Sequence, residues 1–340
     1  MKLKIAIVGC GANAKYAHAP AWIDLKTGRW EAPVTTAPKG VMEDLKCLLP
    51  PSYIPGISLE AVCGTRRRPE RPKDLGRRYN ARVYFDLDEM LKKEDIDILD
   101  VVTNPEAHCE CVVKGLEAGC HVYCETPFAM TVEEAKLMVK TAEKTGMLLG
   151  YGENYRFSPH HLYLKYLIDK GELGEPSIIS SFGHAATFHH RTDLMRYFGG
   201  EIISVYAEPT NAKNTIPPVI MKYESGAVGV ITGVGMSWQH PMERIDYVGS
   251  KGRVTVDGIV GELTYYPNNT GLERKIILWK PTVFEQQDFG AAFRGALAAF
   301  ADSVIKGVEP PVTGIDGLRY MQLRAAMEKS LEKKGPVKPY

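Results

Sequence analysis

The chain has little of what would mark a membrane protein, a secreted protein or a nucleic-acid binder. No apolar run approaches the ~18 residues that a bilayer-spanning helix needs, so no membrane partner is expected. Neither sign of charge is in excess. The 42 Lys and Arg against 41 Asp and Glu leave no field to gather a polyanion, so no nucleic-acid partner is expected either. Cysteine is sparse and odd in number, seven in all, and no secretory signal accompanies it, which argues against a disulfide framework. Cys109 and Cys111 flank Glu110 behind His108, but the spacing matches no standard zinc pattern, and no metal is expected. The thiols read as small buried hydrophobes near strand ends. The opening MKLKIAIVGCG carries only about five apolar residues before its glycines, too few for a leader, and reads as a first strand of a cytoplasmic protein. Internal repeats and low-complexity tracts are absent.

What remains is an ordinary globular composition, 44% apolar over 340 residues, with room for two domains. Residues 1–152 alternate strand and helix signals. Apolar runs at 3–8, 59–63, 82–85, 97–103, 121–124 and 147–151 predict six strands. Ala14, Ala17, His18, Ala21, Trp22 and Leu25 share one face at helical spacing. Thr131 and Glu134 predict a capping box, Ala135, Met138, Val139 and Ala142 the apolar stripe behind it, and Gly146 the stop. Strands alternating with helices imply an α/β fold with a doubly wound parallel sheet. Residues 27–58 exceed the ~2–6 residues of an ordinary connection and hold prolines at 33, 38, 50, 51 and 55; they form an insertion, to be read as a lid, a subunit contact or a plain surface excursion. From 153 to 340 the pattern changes. A helix over 159–170 precedes β-rich runs at 177–182, 202–207, 219–223, 227–234, 243–249 and 253–257, which predict an open, mainly antiparallel sheet. A last helix over 316–333 is expected to pack back on the first domain.

Gly9-Cys10-Gly11-Ala12-Asn13-Ala14 follows a strand and opens a helix. The first glycine allows a sharp turn, the second lets backbone approach a pyrophosphate, Ala14 takes the third position, and the helix N-terminus favours the negative charge. This predicts a bound dinucleotide. At the end of the second strand stands Cys63-Gly64-Thr65-Arg66-Arg67-Arg68, with no acid to accept ribose hydroxyls. A guanidinium there pairs with a 2′-phosphate, which favours NADP with NAD possible; the other reading is a solvated basic loop. Six of the nine histidines, at 160, 161, 184, 189, 190 and 240, lie between positions 160 and 240 in the second domain and suit proton transfer near neutral pH.

The order and spacing of these motifs resemble the Gfo/Idh/MocA oxidoreductase family. The resemblance is carried by GCGANA, Thr103-Asn104-Pro105 with His108, and Cys124-Glu125-Thr126-Pro127. It continues in Glu153-Asn154-Tyr155-Arg156-Phe157-Ser158-Pro159 and the run from His190 to Tyr197, and ends at Pro311-Val312-Thr313-Gly314. It implies a Rossmann domain followed by an α/β domain with a large open sheet, a homodimer or homotetramer, and a polyhydroxylated small-molecule substrate. It also implies cofactor contacts from Thr103, Asn104, Pro105, His108, Glu125, Thr126, Asn154 and Arg156. The family's catalytic lysine falls on Thr126, its histidine on His190, and its aspartate on Ala186. Thr126 carries no charge, so His190 with His189, or Tyr155, is expected to move the proton. The expected function is an NADP-dependent oxidoreductase on a sugar-derived or polyol hydroxyl or carbonyl, with an atypical site. The alternatives are a redox-neutral lyase or glycosidase-like enzyme with retained NAD(P), and a non-catalytic nucleotide-sensing protein.

Overall fold

The computed structural model describes residues 2–28, 39–211, 213, 215–235, 243–258, 262–267, 275–278 and 285–340. The chain forms two units. The first comprises Met1–Ala32, Pro50–Asn154 and Phe293–Met321; the second comprises Pro33–Leu49, Tyr155–Ala292 and Gln322–Tyr340. A cut at 152/153 differs from this by two residues at the boundary and in two longer segments, and packing explains both of the longer ones. Val41 and Leu45, on the helix Lys39–Leu48 of the insertion, bury in the core of the second unit. Phe293 meets His18 edge-on and Phe300 packs on Tyr123, both in the first unit.

The first unit is a six-stranded parallel sheet. Its strands are β1 (Leu3–Val8), β2 (Ile57–Cys63), β3 (Arg82–Tyr84), β4 (Ile98–Val101), β5 (His121–Cys124) and β6 (Leu149–Tyr151). They lie in the order β3-β2-β1-β4-β5-β6, the doubly wound arrangement whose order reverses between β1 and β4. Helices cover both faces of such a sheet, so its strands are near-continuous apolar runs; every residue of β4 is buried, including Asp100. The strand expected over 97–103 ends at Val101, where Val102 still donates to Val8 and the chain then leaves the sheet. The capping box forms as expected, with Glu134 N–H on Thr131 Oγ1 at 3.1 Å and Gly146 ending the helix Val132–Thr145 at φ 71°. The helices Glu70–Tyr79 and His108–Glu117, not foreseen, supply two of the crossovers.

The second unit holds an eight-stranded sheet: β7 (Pro176–His184), β8 (Ile202–Ala207), β9 (Thr215–Tyr223), β10 (Val228–Val234), β11 (Glu243–Gly249), β12 (Gly252–Asp257), β13 (Glu262–Pro267) and β14 (Lys275–Leu278). The order is β14-β13-β12-β11-β7-β10-β9-β8, antiparallel except where β10 runs parallel to β7. Burial alternates along β10, β11 and β12, so one face of the sheet packs on the core and the other is open. The core face receives Leu164, Leu167, Leu194, Met195 and Phe198 from the helices Pro159–Asp169 and Phe188–Gly199. Strands β13 and β14 escaped the sequence reading. Cys47 is exposed and Cys10 and Cys109 are half-buried, so only Cys63, Cys111, Cys120 and Cys124 fit the expectation of buried thiols.

Candidate functional site

In the first unit the glycine turn sits at the C-terminal end of β1. Gly9 has φ 97°, and a Cβ there would lie 2.3 Å from the Val102 carbonyl oxygen, so only glycine fits. Gly11 is different: a Cβ would meet nothing within 4 Å, which leaves its backbone open to an incoming group. Ala12 and Asn13 are exposed and Ala14 is buried against the sheet. A wide π-helical turn, Ala14–His18, follows and leads into the helix Ala19–Thr27. A cavity of about 740 Å³ opens here, lined by Cys10, Gly11, Ala12, Lys15, Arg71 and Lys73 among others. The open backbone at a helix start suits the pyrophosphate of a dinucleotide, so the residues present fit that group.

The end of β2 is held beside this turn, since Gly9 N–H donates to the Cys63 carbonyl at 2.9 Å. Thr65 and Arg66 follow, both exposed, and the Arg66 guanidinium lies over the Phe85 ring at 5.6 Å from its centroid. Among the described residues no carboxylate pairs with Arg66.

The third segment of the first unit gathers the ends of β4 and β5. Thr103 and Pro105 are half-buried and Asn104 is exposed. His108 braces two turns. It is fully buried, with Nδ1 2.9 Å from the Pro127 carbonyl oxygen and Nε2 3.1 Å from that of Thr103, which ties the two turns together. Thr126 is half-buried and its peptide bond to Pro127 is cis. The Glu125 carboxylate accepts from the Thr126 N–H at 2.9 Å and, more weakly, from its hydroxyl at 3.4 Å. The other Glu125 oxygen lies 2.9 Å from His18 Nε2, and His18 Nδ1 lies 2.9 Å from Asp100. Trp22 also donates to Asp100, at 2.8 Å. Burial alone would push His18 down, but Asp100 and then Glu125 outweigh it and raise it from 6.5 to about 10. A carboxylate oxygen 2.9 Å from each ring nitrogen is the setting that an imidazolium donating from both nitrogens fits. Asn154, fully buried at the end of this unit, has neither its amide nitrogen nor its oxygen hydrogen-bonded among the described residues.

The second unit gathers the histidines. His184 ends β7, a short turn Ala185–Thr187 follows, and the helix Phe188–Gly199 then places His189 and His190 in its first turn. His190 stacks on Tyr155, with ring centroids 3.9 Å apart and planes 6° from parallel, and His189 lies 3.9 Å from His190 on the same centroid measure. Tyr155 is also fixed from behind, because its carbonyl oxygen lies 2.7 Å from His161 Nδ1. His161 Nε2 in turn lies 2.6 Å from the buried Glu243. Arg191 locks the turn from below. It donates to the carbonyls of Thr232 at 2.7 Å and His184 at 3.1 Å, and burial, opposed in part by Glu243, pushes it down to about 10.

Arg156 pairs with an acid of the helix Phe188–Gly199. It is buried and forms a bidentate pair with Asp193, both bonds at 2.6 Å, with the Tyr197 ring 4.7 Å from its guanidinium carbon. Ala186, at the position expected for an aspartate, is exposed. His240 lies outside the described residues. Among the described residues no group of three or more His, Cys, Asp or Glu side chains is arranged to hold a metal. No helix among them is long and apolar enough to cross a membrane.

Sequence reasoning missed Asp100 and the bond between His18 and Glu125. The available signal was an acid inside the apolar run Ile98-Leu99-Asp100-Val101 and a histidine on the buried face of the first helix.

A glycine turn at the switch point of a parallel sheet, followed by a second domain with an open sheet and a histidine-bearing helix, defines a two-domain dinucleotide-dependent oxidoreductase. Comparison with known proteins gives the family. Residues 3–153 match the oxidoreductase family NAD-binding Rossmann fold, and residues 180–338 match the same family's C-terminal alpha/beta domain. The chain belongs to the Gfo/Idh/MocA oxidoreductase family. It is 25% identical over 284 residues to a myo-inositol 2-dehydrogenase of Thermotoga maritima, covering 76% of this chain and 84% of that protein. An oxidoreductase from Agrobacterium radiobacter, solved with NAD+, L-tartaric acid and magnesium, superposes with a TM-score of 0.82 at 19% identity, over 100% of this chain and 99% of that one. A levoglucosan dehydrogenase solved with NADH and L-sorbose gives 0.81 at 18% identity, over all of both chains.

Proposed function

We propose that the chain is an NADP-dependent oxidoreductase that interconverts a hydroxyl and a carbonyl on a sugar-derived or polyol substrate. Gly9, Gly11, Ala12, Asn13 and Ala14 would hold the pyrophosphate, and Thr65 with Arg66 the 2′-phosphate. The nicotinamide cofactor supplies or accepts the hydride when bound. His190 moves the proton of the substrate oxygen, backed by His189 and Tyr155, while Thr126 orients a polar group at its turn. Asn154 is proposed as a cofactor contact because an unsatisfied buried amide calls for a partner. Dehydrogenases of inositol and of levoglucosan among the similar proteins support the polyol class.

One observation carries the choice of cofactor. The end of β2 lies beside the glycine turn and presents Arg66 with no acid. An acid there would accept ribose hydroxyls and repel a phosphate; a guanidinium does the reverse. The test is a panel of polyols and aldoses with NADP+ and with NAD+, followed by nicotinamide absorbance. Faster reduction of NADP+ supports the reading. Tight NADP+ binding with no reduction across the panel would move the chain to the sensing class.

A homo-oligomer is proposed from the open face of the large sheet, where exposed Ile178 pairs with exposed Val228, and exposed Ile220 pairs with Val230 one step along the same face. Light scattering of the purified protein decides it, and a monomer at micromolar concentration would reject it.

A further inference from the structure

The Rossmann unit buries three ionisable groups in a row, Asp100, His18 and Glu125, each no more than 4% exposed. Burying such a cluster is costly, and a well-packed apolar trio of the same volume serves stability as well or better. Asp100 stands in a strand otherwise made of Ile98, Leu99 and Val101, so nothing in the sheet calls for an acid. Its two oxygens are directed at His18 and Trp22, and His18 spends its other nitrogen on Glu125. The far end of the row is the remaining Glu125 oxygen, which meets the backbone N–H and the hydroxyl of Thr126.

We propose that His18 and Asp100 are positioning residues, which act through Glu125 to fix Thr126 at its turn. The assignment deepens the functional reading above and rests on it. Asp100 fixes the ring of His18, and the His18 imidazolium fixes the Glu125 carboxylate. A single rotamer of Glu125 then sets both polar groups of Thr126. Among the described residues, the groups that face His18 from the surrounding elements are Asp100 from β4, Tyr123 and Glu125 from β5 and its turn, and the Phe293 ring, while Trp22 donates to Asp100. Tyr123 is pushed well up, first by burial and then by the charges of Glu125, Asp100 and Glu153, so it stays neutral. The imidazolium is thus the cation that holds Glu125 in place.

The experiment compares the full chain with its Asp100→Asn, His18→Gln and His18→Leu variants. Nitrogen NMR of His18 in the wild type at pH 8 should show both ring nitrogens protonated, and Asp100→Asn should abolish that state. The Thr126 amide resonance should move in all three variants. With the best polyol, kcat should fall by roughly 10- to 100-fold, as expected when a group at the reacting centre is misplaced, while KM changes little. His18→Gln, which keeps a donor to Glu125, should recover part of the loss seen in His18→Leu. Asp100→Asn should add an alkaline limb to the kcat profile. If Asp100→Asn does not fold, the wild-type spectrum and the His18→Gln kinetics decide. A neutral His18 in the wild type, or variants that fold with unchanged Thr126 resonance and kcat, would overturn the proposal. If the wild type turns over no polyol, the functional reading fails, and the NMR results still test the positioning of Thr126.

Discussion

Replacing Arg66 by alanine should change which cofactor the protein prefers while leaving the fold alone. Arg66 is exposed beyond the end of β2, with its guanidinium over the face of Phe85. A 2′-phosphate carries close to two charges. At about 4 Å in water each contributes about 1 kcal/mol, so removing the guanidinium should weaken NADP+ binding by about 2 kcal/mol, or about 30-fold. NAD+ lacks that phosphate and should lose less than about threefold, the level of a lost stacking contact. The contrast should shrink with salt, because the pair is exposed and the Debye length is about 10 Å at 0.1 M. Arg66→Lys should fall in between, since it keeps the charge and loses the bidentate fork. Titrating each variant with both oxidised cofactors by calorimetry measures these affinities. Equal losses for NADP+ and NAD+, or no loss for either, would refute phosphate recognition by Arg66 and leave the segment a solvated basic loop.

His190→Ala should lower kcat by roughly 10²-fold or more with cofactor affinity retained; an unchanged rate would move proton transfer to another group. Asp193→Asn leaves the buried Arg156 without its carboxylate and should destabilise the protein by roughly 3–5 kcal/mol in denaturant titration; a change below about 1 kcal/mol, the range of an exposed pair, would show that the pair is not buried in solution. His18 is raised from 6.5 to about 10, so its contribution to stability is fully present below pH 6.5 and is lost as pH rises towards 10. The denaturation midpoint of the wild type should therefore decline across that window, and His18→Gln should flatten the decline; parallel curves would contradict a charged His18.

The fold was legible wherever local chemistry and global packing agree. The capping box of Thr131 and Glu134 appears where the spacing put it, and all six strands of the parallel sheet start and end within a few residues of the apolar runs. The helix Glu70–Tyr79 was not legible, because its Arg- and Lys-rich face masks the stripe of Pro72, Leu75 and Gly76 that it buries. The helix within the insertion was hidden by the prolines around it, yet Val41 and Leu45 give it a core to join. The site divides in the same way. The glycine turn is a contiguous motif, and its geometry follows from its own residues. His18, Asp100 and Glu125 are separated by 82 and 25 positions, and only strand order brings them together. Arg156 and Asp193 both stood in recognisable motifs, but as isolated residues. Their bidentate bond joins positions 37 residues apart, a pairing that composition and spacing could not reveal.

The most direct test follows the hydride itself. A polyol deuterated at its carbinol carbons is incubated with the protein and NADP+, and the nicotinamide product is examined by mass spectrometry and NMR. One deuterium is expected at C4 of the reduced ring, on a single face, with the matching ketone formed in equal amount. Reduced cofactor without deuterium, or label that washes into water while NADP+ stays oxidised, would contradict the proposed hydride transfer.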